Sequence, residues 1–311
     1  MKVVFMGTPE FAVPCLKMLV DEGYEIGAVI TQPDKPKGRG NKLALPPVKE
    51  YAQKVGLKVL QPERIKTPEF LEELKSIAPE LLVTAAYGKM LPKGLLDLPV
   101  YGCINVHGSL LPAYRGAAPI HWAIINGEKV TGITTMFTDI GMDTGDMLLK
   151  KEVEIGDDMT VGELHDKMSE VGSEVLKETL ERLKDGTLQR TPQDNAIATY
   201  APIIKKDLGL LDWNKSSKEI HNLVRGTNPW PGAFTFYKSD RMRVWKTEYL
   251  KETYSQHPGT IISISDEGMT VASGTGSIRI KELQFDSGKK MSPAQYAVGH
   301  SIDIGTVLGG N

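Results

Sequence analysis

Apolar residues along the first half of this chain come in unbroken runs separated by helical periods. Val3–Met6 has no polar position and reads as a strand buried on both faces; Phe11–Val20 spaces its apolar residues three and four apart and reads as a helix. The alternation continues. A strand is expected over Glu25–Thr31, a helix over Pro47–Val55 with prolines at its start, a short strand over Lys58–Leu60 and a helix over Pro68–Ile77. Further strands are expected over Leu81–Ala86, Cys103–Val106, Thr131–Phe137 and Met147–Ile155, and a long amphipathic helix over Val161–Lys184. Strands that lack polar alternation and are separated by helices predict an α/β fold: a Rossmann-like, mostly parallel sheet with helices on both faces.

The pattern then changes. "DGTLQRTPQDNAIATYAPIIKK" is polar, carries prolines and has no firm period. After it come a short helix near Ser217–Arg225 and several short alternating strands, such as "AFTFYKSD", "MRVWKTEYL" and "SIRIKELQF". Short strands with turns at this spacing point to a small β-barrel. The expected division is a first domain over 1–186, a linker over 187–205 and a second domain over 206–311.

One strand breaks the apolar rule. "CINVHGSLLPAYRGAAP" sets Asn105 and His107 among buried residues just before a turn at Gly108. Residues two apart on a strand share a face, so the amide and the imidazole point the same way. Ligands of open α/β sheets bind at the carboxyl ends of the strands, where this pair lies. A second polar segment, "FTDIGMDTGDM", follows another apolar strand and carries Asp139, Asp143 and Asp146 between glycines. An aspartate delivered from that neighbouring strand end would reach His107. An asparagine N–H can hold a developing oxyanion, and an imidazole beside a carboxylate is favoured in its charged, donating form. No serine or cysteine is spaced with a base as a nucleophile, so the substrate is expected to bring its own.

Composition changes this picture little. The 311 residues are 41% hydrophobic and 24% charged, with a net charge of −2, so nothing global calls for nucleic acid or membrane. Residues 206–311 hold 13 Lys+Arg against 11 Asp+Glu, a weak positive bias over a negative first part. Cys15 and Cys103 are far apart in apolar surroundings, which argues against a disulfide framework or a cysteine metal site. No signal peptide or run of about 20 apolar residues is visible, so a cytoplasmic setting is expected. "GTPEF" after the first strand is not a G-x-G-x-x-G and offers a nicotinamide cofactor little support. The loop "DKPKGRGNK" concentrates Lys35, Lys37, Arg39 and Lys42, which alone would be a solvated flexible loop.

Taken together, "INVHGSLLPAYRGAAPIHWAI" and "DIGMDTGDM" resemble the folate-dependent formyltransferases. The resemblance covers almost the whole chain. "FMGTPEFAVPCL", "TQPDKPKGRGNKLALPPVK" and "LDWNKSSKEIHNLVRGTNPWPGAF" resemble the branch that acts on tRNA. It implies 10-formyltetrahydrofolate as donor and the α-amine of methionyl initiator tRNA as acceptor, with no metal and no membrane, and a monomer. It implies catalytic roles for Asn105 and His107 on the oxyanion and for Asp143 in keeping His107 charged and oriented. Folate would be bound by Ser109, Leu110, Leu111 and Pro112, and by Tyr87, Met90 and Leu91 of "AAYGKMLP". The basic loop would enter the acceptor stem, with Arg39 the key arginine beside Lys35, Lys37 and Lys42. The second domain would be OB-like and add basic surface, with Lys206 and Arg225 as candidates; Trp213 and Trp230 read as packing. "GTPEF" would face the methionyl end. Rival readings are a formyltransferase acting on a 4-amino nucleotide sugar, a 10-formyltetrahydrofolate hydrolase module, and a non-catalytic folate- or tRNA-binding protein.

Overall fold

The computed structural model describes residues 1–37, 42–286 and 288–309. From the N-terminus the chain forms β1 (Lys2–Gly7), α1 (Val13–Asp21), β2 (Glu25–Ile30), the paired strands β3 (Lys35–Lys37) and β4 (Lys42–Ala44), α2 (Pro47–Lys54), β5 (Val59–Leu60) and α3 (Pro68–Ile77). There follow β6 (Leu81–Ala85), α4 (Lys93–Leu96), β7 (Cys103–His107), β8 (Arg115–Gly116), α5 (Pro119–Ile125), β9 (Val130–Phe137), β10 (Met147–Glu154), α6 (Val161–Lys184) and β11 (Tyr200–Ala201). Contacts divide the chain into two units. The first is Met1–Pro119, Val130–Glu154 and His165–Pro202; the second is Ile120–Lys129, Ile155–Leu164 and Ile203–Asn311.

The first unit is built on a seven-stranded sheet of order β10-β9-β7-β6-β1-β2-β5. Five strands pair in parallel, and at one edge β9 runs against them, pairing antiparallel with both β7 and β10. The mostly parallel sheet expected from the unbroken apolar runs is therefore present. One face packs Val4, Met6, Ala28, Ile30 and Leu82 against Phe70 and Leu74 of α3. Helix α3 starts cleanly because the Thr67 hydroxyl accepts from the Phe70 N–H and Pro68 occupies the first turn. On the other side, Gly172 lets α6 approach: a Cβ there would sit 3.2 Å from Val106 Cγ1 and 4.0 Å from the Cys15 sulfur of α1. Burial pushes the Cys15 and Cys103 thiols up to about 12, so both are inert packing residues.

Two local differences from the sequence reading matter for the site. Strand β7 runs on to His107 rather than ending at Val106. Pairing of β9 with β7 is antiparallel, with Ile104 opposite Phe137 and His107 opposite Thr134. The loop after Phe137 therefore leaves three residues, about 10 Å, from His107 along the strand. Asp143 does not come from a strand end beside His107; its loop folds back over the face of the sheet.

The aperiodic segment after α6 is tied into the first unit. Thr191 bridges to Met147, and β11 pairs in parallel with β8. A polar stretch without a period can still be ordered when its partners are backbone groups of distant loops.

The second unit continues with α7 (Ser217–Gly226), β12 (Ala233–Tyr237), β13 (Asp240–Leu250), β14 (Ile261–Ser265), β15 (Gly268–Ala272), β16 (Ser277–Phe285) and α8 (Pro293–Gly299). Its strands form one antiparallel sheet of order β12-β13-β16-β15-β14, where the alternating segments predict a small β-barrel. Helix α7 is held at its start by a capping box between Ser216 and Glu219. Its apolar face joins Ile220 and Val224 to Trp213, Val244, Ile261, Met269, Ile278 and Ile280 in the core. Among the described residues, no helix is long and apolar enough to cross a membrane.

Candidate active site

The site grows from the one polar face of β7. Ile104 and Val106 are buried towards one side, whereas Asn105 and His107 share the other. Thr84 lies opposite Asn105 on β6, and its hydroxyl donates to Asn105 Oδ1 at 2.8 Å. That bond turns the NH2 end of the amide away from β6. Further back on the same face Cys103 joins the core cluster under α3, whereas at His107 the polar neighbours come from loops. The turn after Gly108 lays Leu111 against Met136 and Met147 in a small apolar cluster. It is anchored by Thr134, whose hydroxyl donates to the Ser109 carbonyl at 2.7 Å and accepts from the Leu111 N–H at 3.1 Å.

His107 is 6% exposed. Its Nε2 lies 3.1 Å from the Tyr114 carbonyl. A carbonyl only accepts, so Nε2 carries hydrogen. Its Nδ1 faces Asp143 Oδ2 at 3.7 Å. The same carboxylate oxygen accepts from the Gly116 N–H at 2.8 Å. Asp143 holds left-handed backbone, φ 53°, which outside glycine is best tolerated by asparagine and aspartate. Two glycines make the close approach possible. A Cβ on Gly145 would fall 1.8 Å from the Phe137 carbonyl oxygen, and one on Gly116, at φ +120°, would fall 2.7 Å from that of Ala201. The other two aspartates of the loop are used elsewhere. Asp139 caps its own turn through the Gly141 N–H and the Thr144 hydroxyl, and Asp146 pairs with Arg190 at 3.0 Å.

Three residues at the site escaped the sequence reading because they lie in the segment taken for a linker. Gln193 donates from its amide nitrogen to the carbonyls of Asp143 and Gly145, both at 2.8 Å, and accepts from Arg115 Nε at 2.9 Å. Asn195 Oδ1 accepts from Arg115 Nη2 at 2.8 Å. Thr199 accepts the Tyr114 N–H on its hydroxyl and the Arg115 N–H on its carbonyl. Arg115 itself is only 2% exposed. The one sequence signal was indirect: a buried arginine in a loop needs partners, and the polar stretch at 190–199 is rich in them.

The remaining expected site residues fall as follows. Ser109 is buried and donates to the Ala113 carbonyl at 2.6 Å, which shapes the turn. Leu110 is half-buried, Leu111 is fully buried, and Pro112 follows a cis peptide bond. The Lys150 ammonium donates to the Leu111 carbonyl, and burial holds it below its ordinary range. Tyr87 and Leu91 belong to the core cluster with Val4, Met6 and Leu74, while Met90 is 51% exposed. The Tyr87 hydroxyl is buried without a hydrogen-bond partner, and burial pushes it up to about 12. Lys35 is exposed. The backbones of Lys37 and Lys42 pair across β3 and β4, and Arg39 lies outside the described residues. In the second unit Lys206 is exposed. Arg225 is buried and donates to the carbonyls of Gly156 and Met159, so it presents no charge at the surface. Trp213 is core, bonded to the Thr235 hydroxyl, whereas Trp230 is exposed instead of packed. Among the described residues, no three His, Cys, Asp or Glu side chains are grouped to hold a metal.

A mostly parallel α/β sheet with a polar pair at a strand end, and a separate small antiparallel module, define a two-module α/β protein. The chain belongs to the formyl transferase family: the family's N-terminal formyl transferase model matches residues 1–180 and its C-terminal domain model residues 203–301. Among curated relatives, the methionyl-tRNA formyltransferase of Ruminiclostridium cellulolyticum is 65% identical over 99% of this chain and 100% of its own length. That of Acetivibrio thermocellus is 62% identical with the same coverage. The fold is shared with an N-formyltransferase from Helicobacter canadensis, solved with folinic acid and dTDP-3-aminofucose. It has a TM-score of 0.68 at 20% identity, over 90% of this chain and 99% of that one.

Proposed function

We propose that the protein transfers the formyl group of 10-formyltetrahydrofolate to the α-amino group of methionyl initiator tRNA. What carries this reading is identity of up to 65% along the entire length of methionyl-tRNA formyltransferases, combined with the Asn105, His107 and Asp143 constellation. An α-amine has a pKa of about 7.7–8.0, so a useful fraction is a neutral nucleophile near pH 7. The bond formed joins that nitrogen to the formyl carbon, and the bond broken releases the folate nitrogen. One proton leaves the amine and one is delivered to the departing nitrogen.

Asn105, its amide oriented by Thr84, donates to the oxygen on which charge develops. His107 stands two residues along the same face. Its Nε2–H is held by the Tyr114 carbonyl at 3.1 Å, and exchanging that acceptor for the reacting oxygen makes it the second donor. Asp143 orients the ring and balances its charge. Ser109 to Pro112 and the segment around Tyr87, Met90 and Leu91 supply the walls for folate. Much of that wall is backbone, since Tyr87 and Leu91 spend their side chains in the core. The pocket's donors are amides and an imidazole, which suits a neutral formamide and calls for no metal.

The basic run of Lys35, Lys37, Arg39 and Lys42, whose described ends pair across β3 and β4, would enter the acceptor stem. Its phosphate contacts make binding salt-dependent. In this reading residues 1–186 do the chemistry, residues 206–311 add tRNA surface that includes Lys206, and the enzyme works as a cytoplasmic monomer. The test supplies formyl-labelled 10-formyltetrahydrofolate with methionyl initiator tRNA, with a 4-amino nucleotide sugar, or alone. Label on the tRNA is expected. Label on the sugar, or release of formate without an acceptor, replaces this reading with one of its rivals.

A further inference from the structure

We propose that Gln193 is a positioning residue for the reaction: its side-chain amide clamps the Asp143 turn to the Arg115 loop and so sets the carboxylate against His107. The inference rests on the reading that His107 and Asp143 act in formyl transfer.

The orientation of the amide is fixed by its partners. Arg115 Nε can only donate, so the atom 2.9 Å from it is the Gln193 oxygen. The carbonyls of Asp143 and Gly145 can only accept, so the atom 2.8 Å from each is the NH2 nitrogen. Both of its hydrogens are therefore used on the turn that carries the carboxylate. Arg115, in turn, lies between the two residues that bracket the imidazole. Tyr114 gives its carbonyl to His107 Nε2, and Gly116 gives its N–H to Asp143 Oδ2. One glutamine thus joins the segment bonded to one ring nitrogen to the segment facing the other.

The need for such a clamp follows from the backbone. Asp143 sits at φ 53°, one of several backbone states open to an aspartate in a glycine-rich turn. Its loop reaches back over the sheet from the far end of β9 instead of hanging from an adjacent strand end. The Asp143 carboxylate faces His107, and the residue after Tyr114 is the buried Arg115. Gln193 and Asn195 hold its guanidinium turned onto themselves.

The test uses the full chain and two substitutions. Gln193→Met removes both hydrogens and the acceptor. Gln193→Glu keeps an acceptor for Arg115 but offers no hydrogen to the two carbonyls. Each should lower kcat between about 10- and 100-fold, the cost of misplacing a catalytic group by a fraction of an ångström. KM for tRNA and for folate should stay within about twofold, since the amide spends its oxygen and both hydrogens on Arg115, Asp143 and Gly145. In an Asp143→Asn background the same substitutions should cost less than about twofold further, because the residue acts through that carboxylate. The His107 imidazole 15N resonances, identified by their loss in His107→Gln, should move in Gln193→Met towards their position in Asp143→Asn.

Wild-type kcat in both glutamine variants, or losses that multiply with that of Asp143→Asn, overturns the inference. If Gln193→Met does not fold, Gln193→Glu decides alone, because the buried guanidinium keeps its partner. Wild-type kcat in Asp143→Asn would instead remove the catalytic reading of that pair, and the inference with it.

Discussion

His107 in the first unit and His221 in the second have almost the same immediate neighbours. They are 6% and 3% exposed. Each sets Nε2 3.1 Å from a backbone carbonyl, that of Tyr114 or of Asp157. Each has a carboxylate within reach, Asp143 at 3.7 Å or Asp158 at 3.6 Å. The difference lies in what holds the carboxylate. Asp143 is fixed by the Gly116 N–H, and its turn is held by Gln193. The Asp158 side chain is 84% exposed, where water screens it. His221 also gives its second nitrogen to the Thr247 hydroxyl at 3.0 Å and packs its ring 5.4 Å from that of Tyr249. Burial beside an acid is thus common to a core histidine and a working one. A carboxylate held from several sides, at a strand end where loops meet, separates them.

Substitution at the two positions should break proteins in opposite ways. His107→Ala is expected to lower turnover by at least about 100-fold, the scale of an oxyanion donor, with tRNA affinity and melting temperature nearly unchanged. His221→Ala should leave turnover per folded molecule within about twofold but lower stability by about 1–3 kcal/mol, because the Thr247 hydroxyl loses its buried partner. Steady-state kinetics beside denaturant titration reads both. A stability loss in the first variant matching that in the second would erase the distinction. The carboxylates sharpen it: Asp143→Asn should cost at least about tenfold in kcat, while Asp158→Asn should be silent in both measurements.

How much of this could be read from the chain alone follows the same division. The sheet was legible because strands buried on both faces leave unbroken apolar runs, as in Val3–Met6 and Leu81–Val83. Asn105 and His107 stood out because they violate that rule. Asp143 was found by its glycines, yet its route was misread, since nothing in "ITTMFTDIG" says whether that strand runs with its neighbour or against it. The Gln193 segment was invisible for another reason. Its order comes from hydrogen bonds to backbone atoms of remote loops, and such bonds leave no periodicity in the sequence that makes them. Arg225 failed likewise: a lone arginine near a helix end looks like surface charge until the carbonyls of Gly156 and Met159 are brought to it.

The smallest effect tests the electrostatics of His221 directly. Burial is the main influence on its imidazole and holds it below its ordinary value, outweighing the favourable pull of the Asp157 carbonyl. A group depressed in this way binds a proton more readily in the unfolded chain than in the fold. Its contribution to stability is therefore complete above the unfolded value of about 6.5 and is lost as the pH falls through the lower folded value. His221→Gln keeps a hydrogen-bonding side chain and removes the titration. The stability advantage of wild type over this variant should be largest near pH 7.5 and should narrow steadily towards pH 5, read from denaturant midpoints at each pH. An advantage that instead widened on acidification would mean that Asp158, exposed as it is, holds the charged imidazole inside the fold. The contrast between the two histidines would then rest on the loops alone.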